Sequence, residues 1–247
     1  MVENYKMRMM AGYPIDVGGI KVWPLTLREV LDIGEKEHSS MVSIFLVEKD
    51  SLVEEGQDLS GVYVYHIIHA LAINDHNIRD VLLNAMGVMF KEDVSIDEDG
   101  FFIYKDGVQT YITPEQFEEI REVIRIQNYL GDDSESEGGY KPANSKAQEY
   151  ADRIAKMKDK LRKDKGEDKG LALHDLASIV STHSNNINLL NVWDLTIYQL
   201  YENYIRLMVW DDYHSTHMHI PHMEEKDIKK MKHWATPVDL DTLRRKN

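Results

Sequence analysis

Apolar residues recur along this chain in two rhythms, and each rhythm predicts a kind of element. Tyr13–Val17 and Ile20–Trp23 are short runs on either side of Gly18-Gly19. A Gly-Gly pair between two such runs predicts a tight hairpin. Pro24 stops the second run. Thr26 with Glu29 three residues on is a capping-box pattern, and predicts a helix whose apolar face holds Leu27, Val30, Leu31 and Ile33. A second helix is expected from about Ser39 to Lys49. VYVYHIIHALA, from Val62 to Ala72, repeats at helical spacing. Asp75 is placed to cap another helix reaching about Phe90.

The period then shortens. Val94–Ile96, Phe101–Tyr104 and Val108–Ile112 are three short runs joined by DEDG and KDG, strong signals for a meander of antiparallel strands. Thr113-Pro114-Glu115-Gln116 is a helix start with an N-cap, Pro at the first position and a Gln to close the box. The helix it opens sets Phe117, Ile120, Val123, Ile124 and Gln127 on one side.

Residues 131–145, GDDSESEGGYKPANS, carry no apolar period and several breakers, which predicts a flexible linker. Beyond it, Ala147, Tyr150, Ile154, Met157 and Leu161 form a coiled-coil-like seam on a charged helix. At about two heptads the seam is too short to hold a dimer alone. A short helix is expected over His174–Thr182 and a polar turn over Asn185–Asn191. Asp194 is placed to cap the most apolar helix, LTIYQLYENYIRLMVW. Ile197, Tyr201, Tyr204, Ile205 and Met208 share one face, and Leu200, Leu207 and Trp210 widen it. A helix apolar over most of its circumference is buried on several sides or faces a partner. The fold class is therefore α+β, predominantly α-helical, with small antiparallel β-hairpin and meander elements in the N-terminal half. Three parts are expected: an N-terminal α+β domain at 1–130, a charged linker and amphipathic helix at 131–170, and a C-terminal helical unit with a basic tail at 171–247.

Composition narrows the chemistry. The 247 residues contain no cysteine, which excludes disulfides, zinc–thiolate sites and thiol nucleophiles and suits a reducing cytoplasm. No apolar run reaches the roughly 20 residues of a membrane span. MVENYKMRMM has no apolar segment behind its two bases, so no signal peptide is expected. The net charge is −14, and residues 1–130, with 23 acidic and 11 basic side chains, carry −12 of it. Such a body repels nucleic-acid backbones and anionic membranes, so neither is expected as a partner. Only the basic tail, KKMKHW and RRKN, would favour them.

Two histidine groups are candidates for metal chemistry. In HSTHMHIPH, His214, His217, His219 and His222 follow Asp211-Asp212, and imidazole with carboxylate suits zinc, iron or manganese. The spacing matches no zincin or facial-triad motif, and Pro221 breaks any continuous helix. A polar turn, sensitive to pH near 6, is the plainer expectation. His66 and His69, with Asp75, His76 and Asp80, lack the adjacent His-Asp pair of metal-dependent phosphohydrolases and read as structural. The chain has no GxGxxG, P-loop, GxSxG or HExxH motif, and DEDG lacks the closing Glu of a calcium loop. No cofactor is expected. The apolar, tyrosine-rich helix points instead to protein binding, with Ile197, Tyr201, Tyr204, Ile205, Met208 and Trp210 as the candidate surface.

Three stretches together carry a family resemblance: IKVWPLTLRE (Ile20–Glu29), NVWDLTIYQLYENYIRL (Asn191–Leu207) and His233-Trp234, supported by the TPEQFEEIREVI helix. They resemble proteins of tail-morphogenesis gene clusters in phages of Gram-positive bacteria. The resemblance covers about a third of the chain and departs from the family at HSTHMHIPH, where those proteins are richer in Ala and Gly. It implies no catalysis. It implies a virion-assembly role, foremost a tail assembly chaperone that holds tape-measure or tail-tube subunits in the host-cell cytoplasm. Self-association into a homo-oligomer stays open at this stage. So do three other roles: a structural virion component of the tail or head–tail connector, a metal-dependent hydrolase using His214–His222, and an acidic nucleic-acid mimic acting in host takeover.

Overall fold

The computed structural model describes residues 2–47, 61–105, 107–130, 171–218, 220 and 233–235. The chain divides into two compact units. The first comprises Met1–Asn128 with Asp194–Tyr198, and the second Tyr129–Trp193 with Gln199–Asn247. The class is α+β and mainly helical, with a two-stranded and a three-stranded antiparallel sheet in the N-terminal half. Among the described residues no helix is long and apolar enough to cross a membrane.

In the first unit α1 (Val2–Met10) leads into the hairpin of β1 (Ile15–Val17) and β2 (Ile20–Val22). Ile15, Val17, Ile20 and Val22 point inward, while Asp16 and Lys21 pair on the outside. Gly18 and Gly19 turn the chain at φ 59° and 92°, which side chains resist. A Cβ on Gly18 would also stand 2.1 Å from Gln116 Nε2, an amide that donates to the Gly18 carbonyl.

Thr26 and Glu29 form the expected capping box on α2 (Leu27–Ile33). Glu29 accepts from the Thr26 backbone at 2.8 Å and pairs with Lys91. Leu31, expected on the buried face, is 66% exposed. With seven residues the helix makes two turns, and Leu27 and Val30 alone fill its inner stripe. The next helix, α3 (Glu35–Leu46), starts four residues before the expected Ser39, because Gly34 at φ 100° lets the chain turn and Glu35 and Glu37 complement the first turn.

Helices α4 (Val64–Asn74) and α5 (His76–Phe90) pack as a pair. Asp75 caps α5 as expected, accepting from the amides of Asn77 and Ile78. Strands β3 (Val94–Ile96), β4 (Phe101–Lys105) and β5 (Val108–Tyr111) form a meander in that order. His69 and Tyr65 of α4 grip its first turn. His69 Nε2 lies 2.8 Å from the Asp97 carbonyl, and the Tyr65 hydroxyl accepts from the Phe101 amide at 3.2 Å. A Cβ on Gly100 would collide with that hydroxyl.

Helix α6 (Pro114–Gln127) begins with the predicted Thr113–Gln116 capping box. Phe117, Ile120, Val123 and Ile124 are wholly buried, and the helix packs on α3, α4, β1 and β2. Arg121 reaches the C-terminal end of α3, donating to the Phe45 and Val47 carbonyls. Asp194–Tyr198 completes this unit: the Leu27 amide donates to the Leu195 carbonyl at 2.8 Å, and Thr26 and Thr196 form a β-bridge. The seam at Ala147, Tyr150, Ile154, Met157 and Leu161 lies outside the described residues, as does the 131–145 stretch.

Two predictions follow from this packing. Phe117→Ala removes a fully buried ring from the α6 stripe and should cost about 3–5 kcal/mol. Leu31→Ala should stay within about 0.5 kcal/mol. Urea unfolding of both variants checks the contrast, and equal losses would contradict it. His38 is buried, and desolvation lowers its pKa, against the opposing charge of Glu35 and a hydrogen bond with Asn128. The unfolded chain therefore takes up this proton at a higher pH than the native one. Stability is complete above the unfolded value near 6.5 and is lost as pH falls. The unfolding midpoint of His38→Gln should decline less between pH 7.5 and 5.5 than that of the native chain.

Candidate protein-binding site

The second unit holds helix α7 (Leu173–His183), a loop, the first two residues of a 3-10 turn at Val192–Asp194, and most of helix α8 (Ile197–Met218). Leu176, Ala177 and Val180 are the buried face of α7. The Ser184–Asn191 loop is the polar turn expected there, held by its own side chains. Ser184 Oγ accepts from the amides of Asn186 and Ile187. Asn188 Oδ1 accepts from the Leu190 amide at 2.8 Å, while Asn191 Oδ1 takes the Asn188 amide and its Nδ2 donates to the Asn186 carbonyl. Trp193 Nε1 donates to the Leu189 carbonyl. At the tip of this cross-braced loop Leu189 is 61% and Leu190 86% exposed. Nothing in helical or strand periodicity marks these leucines. The signal was their position inside an asparagine-rich turn, where apolar side chains have no local partner.

Asp194 does not cap α8. It closes the 3-10 turn, and its carboxylate accepts from Arg28 at 2.9 Å. The helix starts only at Ile197, because Leu195 and Thr196 are engaged by Leu27 and Thr26 in extended geometry.

The six residues nominated for partner binding fall into different environments. Ile197 and Ile205 are buried at 5% and 9% exposure, so they serve the interior. Tyr201 is half-buried and stacks on Tyr129, with centroids 4.8 Å apart and planes 7° from parallel. Tyr204 and Met208 are half-buried, and burial pushes the Tyr204 hydroxyl pKa up. Trp210 is open to solvent. Stripe periodicity finds all six but cannot rank them, because a helix apolar around most of its circumference has no unique inner face.

The histidine run differs from the expected turn. Helix α8 continues through His214, His217 and Met218. His214 Nδ1 lies 2.8 Å from the Trp210 carbonyl, and its ring sits 4.2 Å from the Trp210 ring. Tyr213 contacts His214, His217 and His233, and His233 contacts Trp234. His214 and His217 are exposed, whereas His219 and His222 lie outside the described residues. Among the described residues no three histidine or carboxylate side chains converge as a metal site. What the helix end forms is an aromatic cluster, joined by the His-Trp pair from the following segment.

No curated protein and no solved structure matches the chain. Residues 162–239 match the family model described as the YomV second domain, a phage-associated family, and this supports a phage-related protein.

Proposed function

We propose that this is a non-enzymatic virion-assembly protein, similar to a tail assembly chaperone, that binds other phage structural proteins in the host cytoplasm. The observation that carries this reading is the match of residues 162–239 to a phage-associated domain, a span that includes α7, the braced loop and α8. Two features of that span support binding rather than chemistry. Leu189 and Leu190 are held outward by a side-chain hydrogen-bond network, which lowers the entropy lost when a partner covers them. Trp210, a favoured anchor type, stands exposed on α8. Tape-measure and tail-tube subunits are the proposed partners, on the strength of the resemblance at Asn191–Leu207.

The test is co-expression of the untagged chain with the tape-measure and tail-tube subunits of the same phage genome. The expected result is a soluble complex with one of them, weakened at least about a hundred-fold by a Leu189→Asp, Leu190→Asp double variant, since each fully buried leucine contributes about 1.5–3 kcal/mol. Both leucines are exposed, so the unfolding midpoint should hold. Failure to retain either subunit would overturn the assembly reading. Recovery of the chain in purified particles would make it a virion component instead. Stoichiometric zinc, iron or manganese in the untagged protein would reinstate a metal-dependent activity.

A further inference from the structure

The three-stranded sheet of the first unit ends in a strand edge that nothing among the described residues covers. Strand β5 pairs with β4 on one side only. The Ile112 amide donates to the Phe101 carbonyl, which makes 101 and 112 a hydrogen-bonded pair. Bonding alternates along an antiparallel ladder. With Phe102 opposite Tyr111 and Tyr104 opposite Gln109, the N–H and C=O of Gln109 and Tyr111 therefore point away from the sheet. Four backbone groups are left for another strand. Edge strands are normally protected by lysine, proline, a bulge or a cover. VQTY has no charge and no proline.

The face beside this edge is unusual for one turned to solvent. Phe102, Tyr104 and Tyr111 form an edge-to-face strip, with Phe102 5.8 Å from Tyr104 and 5.5 Å from Tyr111. Tyr104 is 58% exposed and Tyr111 38%. Alternation would place polar residues here. Acidic groups border the strip. Asp97 Oδ2 accepts from the Tyr111 hydroxyl at 2.6 Å and from Gln109 Nε2 at 3.2 Å. Glu98 and Asp99 are exposed on the same turn. The Tyr111 hydroxyl pKa is pushed up to about 12, first by its bond to Asp97, then by burial and by the charges of Asp97 and Asp99. The basic group at the far end, Lys105, is engaged by Glu92.

We propose that β5 is a docking edge for an extended, arginine-bearing segment of a partner protein. The partner's backbone would pair with Gln109 and Tyr111 as a fourth strand. Its guanidinium groups would lie over Tyr104 and Tyr111, where ring faces attract cations, close to Asp97, Glu98 and Asp99. Aromatic strips on sheets also stack nucleobases, but the acidic border repels phosphate, so charge selects the peptide. This surface belongs to the first unit, outside the 162–239 match, and stands independently of the assembly reading.

The probe is a blocked peptide, Arg-Val-Arg-Thr-Arg-Val-Arg, with a glutamate-for-arginine version and a thymidine decanucleotide as comparisons, each titrated by fluorescence anisotropy against the full chain. The arginine peptide should bind, and the other two should not. On binding, the amides of Gln109 and Tyr111 should gain protection from hydrogen exchange, read by NMR, while the already paired Thr110 amide changes little. Gln109→Pro removes one outward N–H without touching the internal ladder and should weaken binding at least ten-fold. Tyr104→Ala should weaken it about three-fold, and Asp99→Lys should also weaken it. Tyr104 and Asp99 are exposed, so these two variants keep the test valid if the proline variant fails to fold. Binding unchanged in Gln109→Pro and Tyr104→Ala would be diffuse attraction to an acidic chain and would overturn the proposal. Binding of the decanucleotide at the same residues would overturn it in favour of a nucleic-acid platform.

Discussion

The buried stripe of α6 is the constraint on which the first unit depends. Phe117, Ile120, Val123 and Ile124 are fully withdrawn from water, and the elements around them are too short to bury much on their own. The β1–β2 hairpin has three residues per strand, and an isolated hairpin is marginal in water. It is held because its inward side chains meet α6 and because Gln127 Nε2 donates to the Val22 carbonyl at 3.1 Å in buried surroundings. That bond is also why a glutamine sits on an otherwise apolar stripe: a buried carbonyl at the end of a two-stranded sheet needs a donor. Gln116 does the same for Gly18 at the turn while closing the capping box. Gln116 and Gln127 thus tie the two ends of α6 to the hairpin.

Much of this was legible in the sequence where the signal is local. The Gly-Gly turn, the two capping boxes, the Asp75 cap and the three strand runs depend on residues within four positions of one another, and all are present. What escaped depends on distant partners. Helix α1 has no clear apolar stripe, although Met9 is fully buried and Arg8 donates to the Pro14 carbonyl. Asp194 has the look of an N-cap, but its carboxylate is engaged by Arg28, 166 positions away in sequence. The continuation of α8 through His214 and His217 was hidden by polarity. Ring contacts among Trp210, Tyr213, His214 and His217, each with its i+3 or i+4 neighbour, favour the helix there.

For the candidate site, periodicity marks the helix but does not divide its inner from its outer positions. Periodicity identified α8 as apolar around its circumference, and the structure separates its interior positions, Ile197, Leu200 and Ile205, from Trp210 in solvent. A buried Glu202 on the same helix shows why composition alone could not make that division. One carboxylate turned inward means that polarity and exposure are not interchangeable along this segment. Leu189 and Leu190 illustrate the converse, two apolar side chains turned outward by the hydrogen bonds of the polar residues around them.

Exposed apolar groups are costly unless something offsets the risk of self-association, and the charge distribution does so. Residues 1–130 carry −12 of the chain's −14, so two copies repel when they approach through that part. The same field increases the encounter rate with a basic segment. Aromatic groups on an acidic background therefore discriminate in two ways: the rings accept many flat or cationic groups, and the charge rejects anionic ones. An edge strand that lacks lysine and proline becomes tolerable under these conditions, because the long-range repulsion acts before the backbone groups of Gln109 and Tyr111 can find an unsuitable partner.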